Sequence, residues 1–357
     1  MEADKNNKTV FVGLSGGVDS SVAALRLKKD GYNVVGVFIK VWQPDFLKCN
    51  WEEERLDAMR VAAHLDIPFL TCDAEEIYRK EVGEYFIREY ERGHTPNPDV
   101  MCNKYVKFGA FLRFALQHGA DYVATGHYAR IEKNGNEYCL LRGTDEGKDQ
   151  SYFLWTLTKK ELAKILFPVG NSKKAEIREE AKEAGLPTAV KKDSQGICFL
   201  GHVDIPDFLA HFIKLEPGKV LDERGKEIGS HKGALVYTLG QRHGFTVKNE
   251  EALQKPVFVI SRDLVGNTIT VAKEPTLLKD STEILLTDVN WMSEPKGEQE
   301  LVVQFRYRQT PIPVKISHSA ETQAALQLKD YAQKPSVGQS AVIYRGEECL
   351  GGGIISL

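Results

Sequence analysis

The sequence predicts an α/β protein in which a doubly wound parallel sheet is followed by a small α+β central domain and a C-terminal β-barrel. Apolar runs alternate with helical patterns through the first half of the chain, and such alternation is typical of a parallel sheet with helices on both faces. A Ser-Gly-Gly segment follows the first apolar run, and after residue 215 the pattern changes to short strands separated by turns. We therefore expect domains at 1–215, 216–277 and 278–357.

In the first domain, short apolar runs predict the strands, and apolar residues three or four positions apart predict the helices. Gly119 and Gly185 mark helix ends. Ligands of such sheets bind beyond the carboxyl ends of the strands, so the segments after Leu14 and Ala124 are the expected site. The predicted strands are 9–14, 32–40, 67–72 and 121–124, and the predicted helices are 22–27, 52–65, 75–91, 104–117, 159–166, 173–184 and 205–213.

The second half of the chain has the texture of β-structure. Turn sequences at 222–225 and 265–267 separate short β-type runs, as expected for a small domain rich in strands. From about residue 278 nearly every segment is a short strand pattern, which predicts a small barrel or sandwich.

The composition excludes several classes of protein. Of 357 residues, 42% are hydrophobic and 27% charged, as in globular proteins. No apolar run approaches the ~20 residues of a membrane span, and the polar N-terminus is unlike a signal or transit peptide, so we expect a cytoplasmic protein. None of the six cysteines forms a C-x-x-C pair. A zinc site and a disulfide framework are therefore not expected, and reduced thiols are available for chemistry.

Charge gives only a weak indication of a partner. The formal net charge is −3, although basic residues, mixed with acids, are frequent between 159 and 192. Arg306 and Arg308 flank Tyr307 near the C-terminus. From charge alone, a solvated helix face is the favoured interpretation of the basic stretch.

The loop 15–21, Ser-Gly-Gly-Val-Asp-Ser-Ser, is the most specific local signal. Glycines allow close backbone approach to a ligand, and the helix that follows attracts an anion to its N-terminus. The loop lacks the Gly-Lys-Ser/Thr of a Walker A motif and the G-x-G-x-x-G spacing of a dinucleotide site. It resembles the PP-loop of the ATP pyrophosphatases, which implies that Ser15, Ser20 and Ser21 bind the diphosphate of ATP and that Asp19 lies near Mg²⁺. A glycine turn without a ligand is the alternative.

Cys102 is one candidate for the chemistry. It follows the segment 95–99, Thr-Pro-Asn-Pro-Asp, whose prolines make a stiff approach. The predicted helix 104–117 begins directly afterwards, so Cys102 is expected near a helix N-terminus, where the dipole and Lys104 favour a thiolate. Asp99 becomes a candidate general acid or base if the loop folds back. Inert packing of Cys102 explains the local residues equally well.

Cys198 is the second candidate, although its surroundings argue against it. Ile197, Phe199 and Leu200 are apolar neighbours, which is typical of a buried, unreactive thiol. On local grounds alone that interpretation is favoured.

Motifs spread along the whole chain change this balance. In order, they are Ser-Gly-Gly-Val-Asp-Ser-Ser, Thr-Pro-Asn-Pro-Asp-x-x-Cys-Asn, Ala-Thr-Gly-His-Tyr, Lys-Asp-Gln-Ser-Tyr-Phe-Leu, Asp-Ser-x-Gly-Ile-Cys-Phe, Thr-Leu-Gly-Gln-Arg, Arg-Tyr-Arg-Gln-Thr and Gly-Gly-Gly-Ile-Ile. Together they closely resemble the tRNA-specific 2-thiouridylases, from about residue 9 to 355. Several are not shared by other PP-loop enzymes, so the resemblance is specific.

The resemblance implies a reaction. ATP and Mg²⁺ would serve to adenylate O2 of the wobble uridine, position 34, of a tRNA. Cys198 would receive a sulfane sulfur as a persulfide from a donor protein, such as a cysteine desulfurase or a relay protein. Cys102 would be the catalytic nucleophile, with a transient Cys102–Cys198 disulfide, and Asp99 would act as acid or base beside the target base. The product would be 2-thiouridine.

The resemblance also implies binding residues, position by position. The ATP-contacting positions are Gly13, Leu14, Ser15, Gly16, Gly17, Val18, Asp19, Ser20, Ile39 and Gly126. The tRNA-contacting positions are Asn97, Pro98 and Asp99 at the target base, together with His127, Lys148, Asp149, Gln150, Arg306, Tyr307 and Gln339. Asp19 is the candidate Mg²⁺ ligand.

The sequence departs from the family pattern at two positions. His94 stands where members often have Arg, so a phosphate contact expected there is weaker or pH-dependent. Gln195 stands where some bacterial members have Thr, which puts nothing central in doubt.

Three other functions stay open. A PP-loop amidating synthetase would have no need of Cys198 and would bring an ammonia source, such as a glutaminase domain. A tRNA-binding module that has lost activity would not need Asp19, Cys102 and Cys198 intact. A thiol-redox protein would not need the nucleotide loop.

Overall fold

The fold is that of a computed structural model, which describes residues 7–47, 51–192, 204–248, 256–274, 277–278, 282–295, 300–329 and 332–356. Cys198 lies outside the described residues. Among them, no helix is both long and apolar enough to span a bilayer.

A parallel sheet in the order β3-β2-β1-β4-β7 forms the centre of the N-terminal part, as predicted. Alternate residues of the first strand pack into two different cores, Val10 and Val12 on one face and Phe11 on the other. Helices therefore cover both faces of the sheet. The strands of this part are β1 Thr9–Gly13, β2 Asn33–Lys40, β3 Phe69–Asp73, β4 Tyr122–Ala124, β5 Ala129–Asn134, β6 Glu137–Arg142 and β7 Ile165–Leu166.

The helices follow the predicted order, with some changes of bounds. Two long helical segments, 75–91 and 98–117, each contain wide π-helical turns in their middle. The helical elements are Val18–Lys29, Trp51–His64, Glu75–Tyr78, Arg79–Glu84, Tyr85–Glu91, Pro98–Met101, Cys102–Ala110, Phe111–Gln117, Ser151–Leu154, Lys159–Leu162, Lys174–Glu183, Ile205–Leu209 and Ala234–Val236.

Four predicted helices have wrong bounds, and the first of them, predicted at 22–27, spans Val18–Lys29. The helix predicted at 104–117 begins at Pro98, because proline is pre-organised for the first helical position and Asn97 caps it by accepting from the Val100 N–H at 3.3 Å. The helix predicted at 159–166 ends at Leu162, since residues 165–166 pair with β4. The helix predicted at 205–213 ends at Leu209.

A second sheet, in the order β10-β9-β8-β12-β11, forms the middle part of the chain. Its pairs are antiparallel except for β8 and β12, which are parallel. The strands are β8 Gly218–Leu221, β9 Glu227–His231, β10 Phe245–Val247, β11 Phe258–Asp263 and β12 Thr268–Ala272.

The C-terminal part is a closed barrel, as predicted. In the described part of the chain its six strands follow the order β14-β17-β16-β15-β19-β20, and β20 pairs back with β14. A hairpin that the sequence did not predict, β5–β6, extends this sheet because Leu140 and Leu141 pair with β20. The barrel is thus joined directly to the first part. The strands here are β13 Leu277–Leu278, β14 Glu283–Trp291, β15 Leu301–Gln304, β16 Ile312–Ser319, β17 Gln323–Leu328, β18 Ala332–Gln333, β19 Ser340–Arg345 and β20 Glu348–Ser356.

Candidate active site

The loop 15–21 lies at the carboxyl end of β1, and its last four residues form the first turn of the helix Val18–Lys29. Gly16 has φ +71°, and a Cβ there would lie 2.6 Å from the Glu54 carbonyl oxygen. A Cβ on Gly126, after β4, would lie 2.6 Å from the backbone nitrogen of Ser20. The two glycines let neighbouring backbone close on the loop from both sides, which leaves a cradle that larger residues would fill.

The loop hydroxyls are partly committed within the protein. The Oγ atoms of Ser15 and Ser20 are 3.2 Å apart, and the Ser20 hydroxyl donates to Gly17 O at 3.1 Å. Fully buried Ser21 donates to Gly17 O at 2.8 Å and accepts from the Thr188 hydroxyl at 2.9 Å. Ser21 therefore holds the loop together, and its contact with a phosphate stays a prediction.

Ile39 and Gly13 border the same end of the sheet, since a Cβ on Gly13 would lie 3.6 Å from Ile39 Cδ1. Leu14 and Val18 are buried in the core, so only their backbone is available to a ligand. The predicted ATP positions from Gly13 to Ser20, with Ile39 and Gly126, are thus brought together. Their contact with ATP stays a prediction.

The Asp19 carboxylate, in the first turn of the helix Val18–Lys29, carries two partners that local sequence does not reveal. The ammonium of Lys174 lies 2.7 and 2.8 Å from its two oxygens, and the Tyr128 hydroxyl donates to Oδ1 at 2.7 Å. Mg²⁺ is commonly held by one or two carboxylates together with phosphate oxygens. A single carboxylate beside a phosphate-type cradle fits that donor set.

Asp99 and Cys102 lie on one helical segment, 98–117. Asp99 is in its first turn, and Cys102 is one turn further, with its thiol 1% exposed. The helix-terminal field falls off within the first turn, so the predicted position of Cys102 at a helix N-terminus is wrong. The segment does place Asp99 and Cys102 three residues apart on a helix, where side chains are neighbours.

His127 lies between the helical segment 98–117 and the loop 15–21. It follows Gly126 and is buried, with Nδ1 2.7 Å from the Thr125 hydroxyl and Nε2 3.4 Å from Lys107 Nζ. Burial, and secondarily the charge of Lys107, lowers the pKa of His127 well below its usual value of 6.5. A neutral imidazole is therefore part of the packing beneath the site.

The segment 95–99, called the target-base segment because it contains the predicted target-base positions 97–99, is held by contacts from all three parts of the chain. The Thr95 N–H donates to Val337 O at 2.8 Å, and the Thr95 hydroxyl lies 3.3 Å from that of Thr238. Arg262 donates to Gly93 O at 2.8 Å, just before the segment. Just beyond it, Asn103 donates to Phe153 O at 3.1 Å, and the neighbouring Tyr152 hydroxyl donates to backbone carbonyls of the barrel.

The predicted tRNA positions 148–150 lie in a loop whose side chains fix its own shape. Asp149 accepts from the Gly143 and Ser151 N–H groups and pairs with Arg142 at 3.1 Å. Gln150 accepts from the Tyr128 N–H at 3.0 Å. A cleft lies between this loop and the barrel. It is lined by Arg142, Glu146, Asp149, Tyr152, Gln304, Tyr307 and Arg308.

Three further predicted positions lie where the barrel meets the rest of the chain. Arg306 is half-buried and donates to Leu239 O, so part of its guanidinium is used for packing the domains. The Tyr307 ring packs at a tilt of 48° against the Phe153 ring, with 4.6 Å between the ring centres. Gln339 follows the Val337–Gly338 turn that contacts Thr95. Their contact with tRNA stays a prediction.

His94, the departure from the family pattern, lies 2.7 Å through Nδ1 from the Glu89 carboxylate. It therefore has an acidic partner within its own domain. Its contact with a phosphate stays a prediction.

Sequence reasoning missed Lys174 and the pairing of Tyr128 with Asp19. Lys174 belongs to the basic stretch interpreted as a solvated helix face, yet its side chain is 12% exposed. No local signal distinguishes it from its neighbours. Only the packing of the helix Lys174–Glu183 against the helix Val18–Lys29 brings it to the loop.

Comparisons with known proteins cover the whole chain. Family models match residues 8–202 (tRNA methyl transferase HUP domain), 206–273 (tRNA methyl transferase PRC-barrel domain) and 281–355 (Aminomethyltransferase beta-barrel domain). The tRNA-specific 2-thiouridylase MnmA of Geobacillus thermodenitrificans is 46% identical over 361 residues, 99% of this chain and 96% of the relative. That of Bacillus subtilis is 43% identical over 363 residues, 99% of this chain and 96% of the relative.

One solved structure, a 4-thiouridine synthetase–RNA complex with bound ATP, covers 52% of this chain and 43% of its own, at 21% identity and a TM-score of 0.33. At that TM-score the likeness adds nothing to the assignment.

Proposed function

Because the chain belongs to the tRNA-specific 2-thiouridylase family, we propose that it uses ATP to replace O2 of a tRNA wobble uridine with sulfur. One observation carries the proposal within this structure: the helical segment 98–117 connects the two halves of the expected site. Its Lys107 contacts His127 beside the loop 15–21, and its Asn103 donates to Phe153 O at 3.1 Å beside the barrel. Asp99 and Cys102 lie on the same segment.

The first step we propose is activation of the uridine. The loop 15–21 holds the β,γ-diphosphate of ATP at the N-terminus of the helix Val18–Lys29, where backbone N–H groups and the helix dipole favour negative charge. Asp19 would hold Mg²⁺, which would neutralise negative charge on the phosphates. O2 of the uridine attacks the α-phosphate, diphosphate leaves, and C2 becomes electrophilic because O2 is now part of a good leaving group.

The second step is sulfur transfer. A donor protein loads Cys198 as a persulfide, and its terminal sulfur bonds to C2 while AMP departs with the original oxygen. The Cys102 thiolate attacks Sγ of Cys198, the S–S bond breaks, and the sulfur stays on the uridine. The sulfane sulfur is reduced and two thiols are oxidised to a Cys102–Cys198 disulfide, which a thiol reductant must reopen before the next turnover. Asp99 moves a proton at the base.

Methyl transfer is the second candidate function, because it appears in the descriptions of two of the family models. The relatives quoted above are thiouridylases by name, and a loop of phosphate-binding type beside Asp19 has no role in transferring a methyl group. The sequence and the site therefore favour thiolation.

Reconstitution with unmodified tRNA, ATP, Mg²⁺, a persulfide donor and a thiol reductant tests the proposal. Nucleoside mass spectrometry should find 2-thiouridine with the unaltered protein. Cys102→Ser and Cys198→Ser should form none and yet release diphosphate in the presence of tRNA, because activation precedes sulfur transfer. Cys139→Ser, on the hairpin β5–β6, is the matched control and should behave as the unaltered protein.

Two outcomes would contradict the proposal. Failure of the unaltered protein to add sulfur would refute thiolation itself. Full thiolation by Cys198→Ser would refute the persulfide route while leaving the substrate assignment in place.

A further inference from the structure

We propose that Lys174 is a nucleotide-binding residue, which leaves Asp19 when ATP binds and contacts the β,γ-diphosphate, so that Asp19 is released to Mg²⁺. The inference rests on the proposed function, since it needs ATP at the loop 15–21. The inference goes beyond the proposed function because no motif of the sequence and no comparison assigns a role to Lys174.

The position of Lys174 is the first argument. It is the first residue of the helix Lys174–Glu183, and its ammonium contacts both oxygens of the loop residue Asp19 at 2.7 and 2.8 Å. The side chain is 12% exposed, whereas Lys182, further along the same helix, is 55% exposed and pairs with Glu179. Lys174 is thus shielded from solvent and directed toward the loop. It differs in this from Lys182, whose side chain is mostly exposed.

Charge balance at the loop is the second argument. Around the cradle, the loop itself contributes serines, glycines and the single carboxylate of Asp19. A diphosphate placed at the helix N-terminus would meet that carboxylate at short range, and like charges at short range oppose binding. Lys174 neutralises Asp19 in the present arrangement. A bound diphosphate with Mg²⁺ offers each member of the pair a new partner of opposite charge, so the pair can separate without leaving either charge uncompensated.

The surroundings allow this exchange. Asp19 keeps a second partner, since the Tyr128 hydroxyl donates to its Oδ1 at 2.7 Å. The ammonium lies 5.8 Å from the centre of the Tyr128 ring, and the flexible four-carbon stem of lysine permits a short movement toward the cradle.

Equilibrium binding of ATP and of AMP to the full-length protein tests the assignment, in EDTA and in Mg²⁺. Lys174→Met should weaken ATP binding at least about tenfold in EDTA and leave AMP binding within about twofold, because AMP lacks the β- and γ-phosphates. Lys174→Arg should recover part of the ATP affinity, and Lys182→Met should bind both nucleotides as the unaltered protein does. Thermal melting of each variant shows whether it is folded.

The double variant Asp19→Asn/Lys174→Met separates direct contact from simple neutralisation of Asp19. If Lys174 contacts the diphosphate, ATP binding in EDTA stays weak in the double variant. Recovery of binding there, normal ATP binding by Lys174→Met, or an equal loss for AMP would each overturn the proposal. If the unaltered protein itself does not bind ATP, the proposed function fails instead.

Discussion

The loop 15–21 and the target-base segment 95–99 are organised in opposite ways. Most of the loop is fixed by hydrogen bonds between residues at most five positions apart, such as Ser15–Ser20 and Ser21–Gly17. The segment 95–99 is held by Thr238 and Val337, which come from other parts of the chain. Damage to the loop should therefore weaken nucleotide binding, whereas damage to the contacts of the segment should reduce thiolation of tRNA with nucleotide binding intact.

The largest effect is expected at the loop, from Gly126→Ala. The new Cβ would lie 2.6 Å from Ser20 N and 2.7 Å from Asp19 C, both backbone atoms that cannot turn away. Overpacking of this kind costs about 1–3 kcal/mol, and we expect ATP affinity to fall about a hundredfold, measured by equilibrium binding. Gly147→Ala, where the nearest atom is 3.4 Å away, should leave it unchanged. Equal affinities for both variants would refute the close-approach argument.

A smaller and different effect is expected from Arg262→Met at the target-base segment. Arg262 donates to Tyr237 O at 2.5 Å and Gly93 O at 2.8 Å, and bonds from charged groups contribute about 1.5–3 kcal/mol each. We expect a loss of about 2 kcal/mol in unfolding free energy and roughly tenfold in kcat for thiolation, with ATP affinity unchanged. Denaturant unfolding and steady-state kinetics measure these, with exposed Arg242→Met as control. A loss of ATP affinity would show that the two regions are not separable.

The smallest effect is expected at His127, which lies between the loop 15–21 and the segment 95–99. Burial lowers the pKa of His127 in the folded protein, so below about pH 6.5 the unfolded chain binds the extra proton and the folded chain does not. Stability therefore falls as the pH drops, by up to about 1.4 kcal/mol per pH unit from this group. Melting curves from pH 7.5 to 5.5 should have a shallower pH dependence for His127→Asn than for the unaltered protein. Equal slopes would mean that another group titrates.

Local patterns predicted the elements whose cause is local. An apolar run, two glycines and a helical pattern predicted the strand β1, the loop and the helix Val18–Lys29. The short strand patterns after residue 215 predicted the β-rich C-terminal half. The start of the segment 98–117 was missed because Pro98 was treated as a helix breaker, although proline is favoured at the first helical position. The hairpin β5–β6 was missed although Gly135-Asn136, between its two strands, is a local hairpin signal; only its pairing with β20 depends on a contact some 200 residues away in the sequence.

The sequence by itself determined the fold class, the loop 15–21 and the family. The fold class depends on short-range periodicity, and the loop and the family depend on motifs of contiguous residues. The tertiary structure decided which charges meet. Lys174 and Asp19, 155 residues apart, form a pair only because two helices pack on one face of the sheet. Likewise, Thr95 and Arg262 meet the other domains only after the sheet, the central part and the barrel are assembled. Such contacts depend on distances in space, which residue spacing along the chain does not encode.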